Sequence, residues 1–169
     1  PGMPYNIKEQ PTLTFVARQK GEAWNRPFVA IYEPSSAKEP GCITEVSFLK
    51  VKSKTENSAT SICVVQKDGR IDYILSSDNP TDICTSGKMS AQATYALWGN
   101  KKGDDCTFFL GYGTLLSTPN VVIKAETPAD VLLEFKKGTW YYTASTDCTV
   151  SIQKKTYKLK ANTEEKTLK

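Results

Sequence analysis

Ser61-Ile62-Cys63-Val64-Val65-Gln66-Lys67-Asp68-Gly69-Arg70-Ile71-Asp72-Tyr73-Ile74-Leu75-Ser76 is a pair of β-branched and aromatic runs around an Asp-Gly. Such runs favour extended backbone, and Asp and Gly both tolerate the positive φ of tight hairpin turns. The stretch predicts a hairpin, Ser61–Gln66 against Ile71–Ser76. Upstream, Thr12–Arg18, Phe28–Glu33 (bracketed by Pro27 and Pro34) and Ile43–Lys52 read as strands, and the change of parity between Ile43 and Val46 predicts a bulge. Ser76–Lys88 reads as a long loop. Downstream come Ala91–Trp98, Cys106–Tyr112, Val121–Glu126, Val131–Phe135, Thr139–Ser145, Thr149–Gln153 and a short Tyr157–Lys160. Lys137-Gly138 and Thr146-Asp147 mark turns between them. No strand alternates with a long amphipathic helix, which argues against a parallel α/β sheet. The expectation is all-β: a two-layer antiparallel β-sandwich of roughly ten to twelve short strands. Residues 1–10 read as a lead-in, 11–160 as a single sandwich domain and 161–169 as a frayed C-terminal tail.

The chain has 169 residues, 39% hydrophobic and 24% charged, enough for one domain with a real core. No run approaches the ~20 apolar residues of a spanning helix. It contains no histidine, which removes Ser-His-Asp and Cys-His nucleophile systems and histidine-dependent zinc chemistry. The net charge of +4 resides in the last sixteen residues, where six Lys meet two Glu; residues 1–153 are neutral. A nucleic-acid binder needs a basic face on its folded body, so the excess reads as a solvated basic tail, and neither nucleic acid nor membrane is expected as a partner. The chain opens Pro1-Gly2-Met3-Pro4, without a signal peptide, and is expected to be processed or cut from something longer.

Cys42, Cys63, Cys84, Cys106 and Cys148 form no close pair, so metal spacing is absent. They read as buried free thiols, with one or two disulfides as the alternative. No neighbouring base is available to activate one as a nucleophile. Gly111-Tyr112-Gly113 reads as a strand-end bend, not a phosphate cradle. Adjacent Asp104 and Asp105 point to opposite faces of a strand, a poor acid/base pair. No metal or cofactor is expected.

Two features suit a sugar. Trp140 and Tyr142 share one face of their strand, and an exposed Trp–Tyr platform would stack on a pyranose ring; packing into the core is the competing reading. The densest polar–aromatic cluster is Arg18–Phe28, in which Arg18 and Arg26 suit bidentate contact to carboxylate or sulfate, Trp24 a ring face and Asn25 a turn. Arg18, Trp24, Asn25 and Arg26 are thus the candidate carbohydrate-binding residues. The alternative pairs Glu22 with an arginine and buries Trp24 at the sandwich end.

The run from Phe15 to Pro34, FVARQKGEAWNRPFVAIYEP, resembles the opening of the C-terminal β-domain of heparinase II/III-like polysaccharide lyases of Bacteroidetes, and Gly69–Ile74 resembles a later stretch of it. The resemblance implies a parent protein with a helical toroid, a β-sandwich and a smaller two-layered C-terminal β-domain, exported to the periplasm or secreted. It implies cleavage by β-elimination at a uronic acid, using tyrosine and histidine of earlier domains. No such residue maps onto this chain, so the resemblance implies a non-enzymatic fragment.

Three functions follow. The first is a non-catalytic C-terminal accessory domain that packs on the upstream domains of its parent lyase and assists binding of an acidic polysaccharide. The second is a self-standing carbohydrate-binding module using Trp24, Trp98, Trp140 and the tyrosines. The third is a small β-elimination enzyme with a tyrosine base, disfavoured by the neutral body and the lack of diagnostic spacing.

Overall fold

The computed structural model describes residues 29–36, 38, 40–101 and 105–168. The chain divides between Ala30 and Ile31, and the unit Ile31–Lys169 carries all regular structure among the described residues. That structure is all strand: β1 Ile43–Leu49, β2 Val51–Lys52, β3 Ala59–Gln66, β4 Arg70–Ser77, β5 Cys84–Ser86, β6 Met89–Lys101, β7 Cys106–Ser117, β8 Val121–Lys136, β9 Thr139–Ala144, β10 Cys148–Ile152, β11 Lys155–Leu159 and β12 Asn162–Thr167. All pairings are antiparallel and join the twelve strands into one sheet.

The sandwich arises because two long strands, β6 and β8, change partners part-way, while β7 runs between them through both layers. β6 pairs with β5 through Met89–Ala91 but with β4 through Tyr95–Lys101. β8 pairs with β10 through Val121–Ala125 but with β9 through Val131–Lys136. Between these halves the β7–β8 register breaks twice, around Gly113. Glu126, Thr127 and Pro128 are exposed there, and proline, lacking an N–H, fits where the ladder lapses. Two layers result, one ordered β1-β3-β4-β6-β7-β8-β9-β12 and the other β2-β5-β6-β7-β8-β10-β11. The bend needs Gly113: a Cβ there would fall 2.6 Å from Leu110 Cδ1 and 2.7 Å from the Gln92 carbonyl, and nearer still to Ala93 Cβ. Beside it, Tyr112 holds φ 47 and donates its N–H to Asp130 Oδ1 at 2.8 Å. Gly111–Gly113 is therefore a bend within a strand, not at its end.

Alternation fills the space between the layers. Leu75, Leu110, Val131, Leu133 and Ala144 of the first layer meet Met89, Leu116, Ile123, Val150 and Leu159 of the second in one buried cluster. The opposite parity faces outward, and the two outward faces differ. On the first layer it carries Val46, Phe48, Ile74, Tyr95, Leu97 and Phe109. On the second it carries Thr85, Ser90, Ser117, Lys124, Thr149, Ser151, Thr156 and Lys158.

The hairpin Ser61–Ser76 forms, but with a three-residue loop. Gly69 N–H bonds Gln66 C=O at 3.0 Å, and only Gly69 takes positive φ, at 84°. The bulge in β1 falls between Ile43 and Glu45, where it was expected. Three expectations need correction. Val29–Glu33 lies outside any strand; the Glu33 carboxylate instead accepts the backbone N–H groups of Cys42 and Ile43. The Ser76–Lys88 loop contains β5, because Gly87-Lys88 turns Ser86 back onto Met89. The C-terminal segment is not frayed: β12 pairs with β9. Its lack of apolar alternation fits an edge strand held by its backbone and by Asn162 Oδ1, which accepts Ala144 N–H at 3.0 Å. Strand order thus runs past residue 160, and residues 1–28, including the expected lead-in and first strand, lie outside the described residues.

Candidate functional site

Lys137 (φ 50) and Gly138 (φ 81) make a two-residue hairpin that sets Trp140 opposite Phe135. Their rings lie 5.1 Å apart at 49°, and Phe108 approaches Trp140 at 6.1 Å from the core side. From the other layer, the β10–β11 turn projects Gln153, Lys154 and Lys155. Gln153 holds φ 54 and is pinned by its N–H to Asn120 C=O at 2.8 Å. Between the two turns lies an open groove of about 870 Å³ with Phe135, Trp140, Ile152 and Tyr157 half-buried on its wall. Lys154, Lys155, Gln153 and Asn120 stand at its polar side.

Half-buried rings offer an apolar face, and two exposed ammonium groups beside them suit carboxylate or sulfate substituents. The site has what ring stacking and anion contact need. The thiols are all free. Burial pushes Cys148 up to about 11, reinforced by the charge of Asp147. Burial likewise raises Cys63 and Cys106. Cys42 is raised by its hydrogen bond to the Glu33 carboxylate; it is exposed, against the expectation of burial. Thiols held protonated are poor nucleophiles. Among the described residues no three acidic or sulfur side chains gather as a metal site.

Arg18, Trp24, Asn25 and Arg26 lie outside the described residues. Trp140 and Tyr142 do share a face, but it points into the sandwich: Tyr142 is buried and Trp140 half-buried against the core. They form no exposed platform, because in a two-layer fold the aromatic side of an inner strand is the side that packs. Trp98 is likewise drawn inward, stacked on Tyr73 at 5.0 Å and 24°. In the Gly69–Ile74 stretch, Arg70 Nε bonds Asp72 Oδ1 at 2.8 Å, and Gln66 Nε2 bonds Asp72 Oδ2 at 2.8 Å. These polar groups satisfy one another across the sheet. Gln153, Lys154, Lys155 and Asn120 had no signal in the sequence beyond turn composition. The basic excess is not a tail: Lys154, Lys155, Lys158 and Lys160 lie on or beside β11, part of the sandwich.

The chain is 28% identical over 127 residues to an endo-acting ulvan lyase of Formosa agariphila. The match takes in 71% of this chain but 15% of that relative. The chain is thus similar to part of a polysaccharide lyase and spans a small fraction of its length. No protein-family model matches, and no solved structure matches.

Proposed function

We propose that the chain is a non-catalytic accessory domain of a polysaccharide lyase, packing on the catalytic part and lending it affinity for an acidic polysaccharide. One observation carries the reading: the similarity covers most of this chain yet only 15% of an ulvan lyase. The lack of histidine agrees, since β-elimination must neutralise a carboxylate, remove a proton and protonate a leaving oxygen. Among lyases, the heparinase II/III-like type is the one that the Phe15–Pro34 run supports. Export to the periplasm or beyond belongs to the same reading.

The first layer's outward face supplies a packing surface, with Phe48 63%, Tyr95 55% and Val46 44% exposed. Ile62 and Val64, between these exposed side chains and the rest of the face, are buried. The exposed apolar side chains suit an interaction site, and the rest of a parent lyase is the partner that the 15% span supports. The Trp140 groove supplies the polysaccharide contact. It also favours the second reading, a self-standing carbohydrate-binding module.

Two experiments decide. An antibody against this domain, applied to source cells, should detect a species several times heavier than 18.7 kDa. A band at 18.7 kDa overturns the accessory reading and favours the module. The purified chain should bind ulvan without releasing unsaturated uronate, read by absorbance; product formation would make it an enzyme.

A further inference from the structure

The outward face of the second layer holds a cross-strand rank that the groove does not use. Thr149 of β10 lies opposite Lys124 of β8 on one side and Lys158 of β11 on the other. All three share a face, because directly paired residues of antiparallel strands project together. Neighbouring strands are about 4.8 Å apart, which separates the two lysine Cα atoms by about 10 Å. Neither lysine has an acidic partner within ion-pair distance among the described residues. The next rank is Val122, Ser151 and Thr156, and its two hydroxyls share a hydrogen bond of 2.9 Å. On the other side Lys160 Nζ bonds Asp147 Oδ2 at 2.6 Å, which holds that carboxyl below its usual range and cancels its charge. An open groove of about 620 Å³ runs along these residues, from Lys124 and Glu126 to Lys158 and Lys160.

We infer that this face, centred on Lys124, Thr149 and Lys158, is a binding strip for a linear anionic polysaccharide whose charges recur about once per disaccharide. The lysine separation across β10 matches such a repeat, and hydroxyls between the cations suit the sugar hydroxyls between the charges. No aromatic ring lies in the rank, so the strip works by charge and hydrogen bonding, unlike the Trp140 groove. The inference rests on the acidic-polysaccharide part of the proposed function, not on the existence of a parent lyase.

The test uses the full 169-residue chain with ulvan, dextran sulfate (sulfate only), polygalacturonate (carboxylate only) and neutral dextran. Wild type should bind at least one polyanion and not dextran. The double variant Lys124→Ser/Lys158→Ser should bind about tenfold more weakly at low salt, with a shallower loss of affinity as salt rises. Its melting temperature should be unchanged, since both side chains are exposed. The sulfate-only and carboxylate-only polymers tell which anion the strip takes. Equal binding by wild type and the double variant overturns the strip. If Lys154→Ser/Lys155→Ser then weakens binding, the groove reading stands without it. If wild type binds no polyanion, strip and groove fail together, whatever the mass of the native protein.

Discussion

The two outward faces of this sandwich are built from the same long strands yet differ in composition. On β6, the half that pairs with β4 turns out Tyr95 and Leu97, and the half that pairs with β5 turns out Ser90 and Gln92. On β8, Leu132 faces out in one layer and Lys124 in the other. The change of polarity is clear on β6, whereas β8 also turns out Glu134 in the first layer and Val122 in the second. A sheet face covered by a partner stays apolar, whereas one left in water acquires hydroxyls and charges. On the proposed reading, the side rich in apolar groups meets protein and the side rich in hydroxyls meets solvent or polymer.

If that division is right, stability resides between the layers and partner choice resides outside them. The strongest challenge is Leu110→Ala, which empties a fully buried position between the layers. It should cost about 3–4 kcal/mol in chemical denaturation; a loss comparable to that of an outward-face variant would break the comparison. Gly113→Ala tests the bend that creates two layers. With backbone and core atoms crowding the new methyl group, it should cost about 3 kcal/mol. A neutral result would mean that the bend tolerates rearrangement.

Next in size is an alkaline effect of the interior. The folded Cys148 keeps its proton up to about 11, whereas an unfolded thiol releases it near 9.0. Between these values the folded state binds more protons, so stability falls as pH rises, by about 2–3 kcal/mol in all. Urea midpoints at pH 8 and pH 11 should diverge for wild type and less so for Cys148→Ala. Acid acts oppositely: Asp82, whose carboxyl is lowered by the Thr55 hydroxyl and N–H, contributes stability that disappears as pH falls through its folded value. The smallest effect sharpens the contrast most. Phe48→Ser should leave the melting temperature of the isolated chain nearly unchanged and should spare polyanion binding. It should weaken association with the remainder of a parent lyase, measured by co-purification of separately expressed parts.

Much of the fold was legible. The hairpin around Asp68-Gly69, the bulge after Ile43 and the turn at Lys137-Gly138 each carry a local steric signature. β12 was not legible: Asn162–Thr167 is exposed along nearly its whole length, so no side-chain period marks it, and its strand character comes from the free edge of β9. The groove was equally hidden. Trp140 could be named from the sequence, but its polar companions come from a turn thirteen residues later and from Asn120, twenty residues earlier between β7 and β8.

Strand content, the hairpin turns, the want of histidine and the local basic excess could be read from the sequence alone. Each depends on residue type or on spacing of a few positions, within reach of one strand and its turn. Only the tertiary structure decided that Trp140 and Tyr142 point inward, that the basic excess lies on a sheet rather than a tail, and that Phe48 and Tyr95 fall on one outer face and Lys124 and Lys158 on the other. Those outcomes depend on where β6, β7 and β8 bend and which strands they meet on each side. Pairings across long sequence separations are set by the packing of the whole core, which no short window of sequence contains.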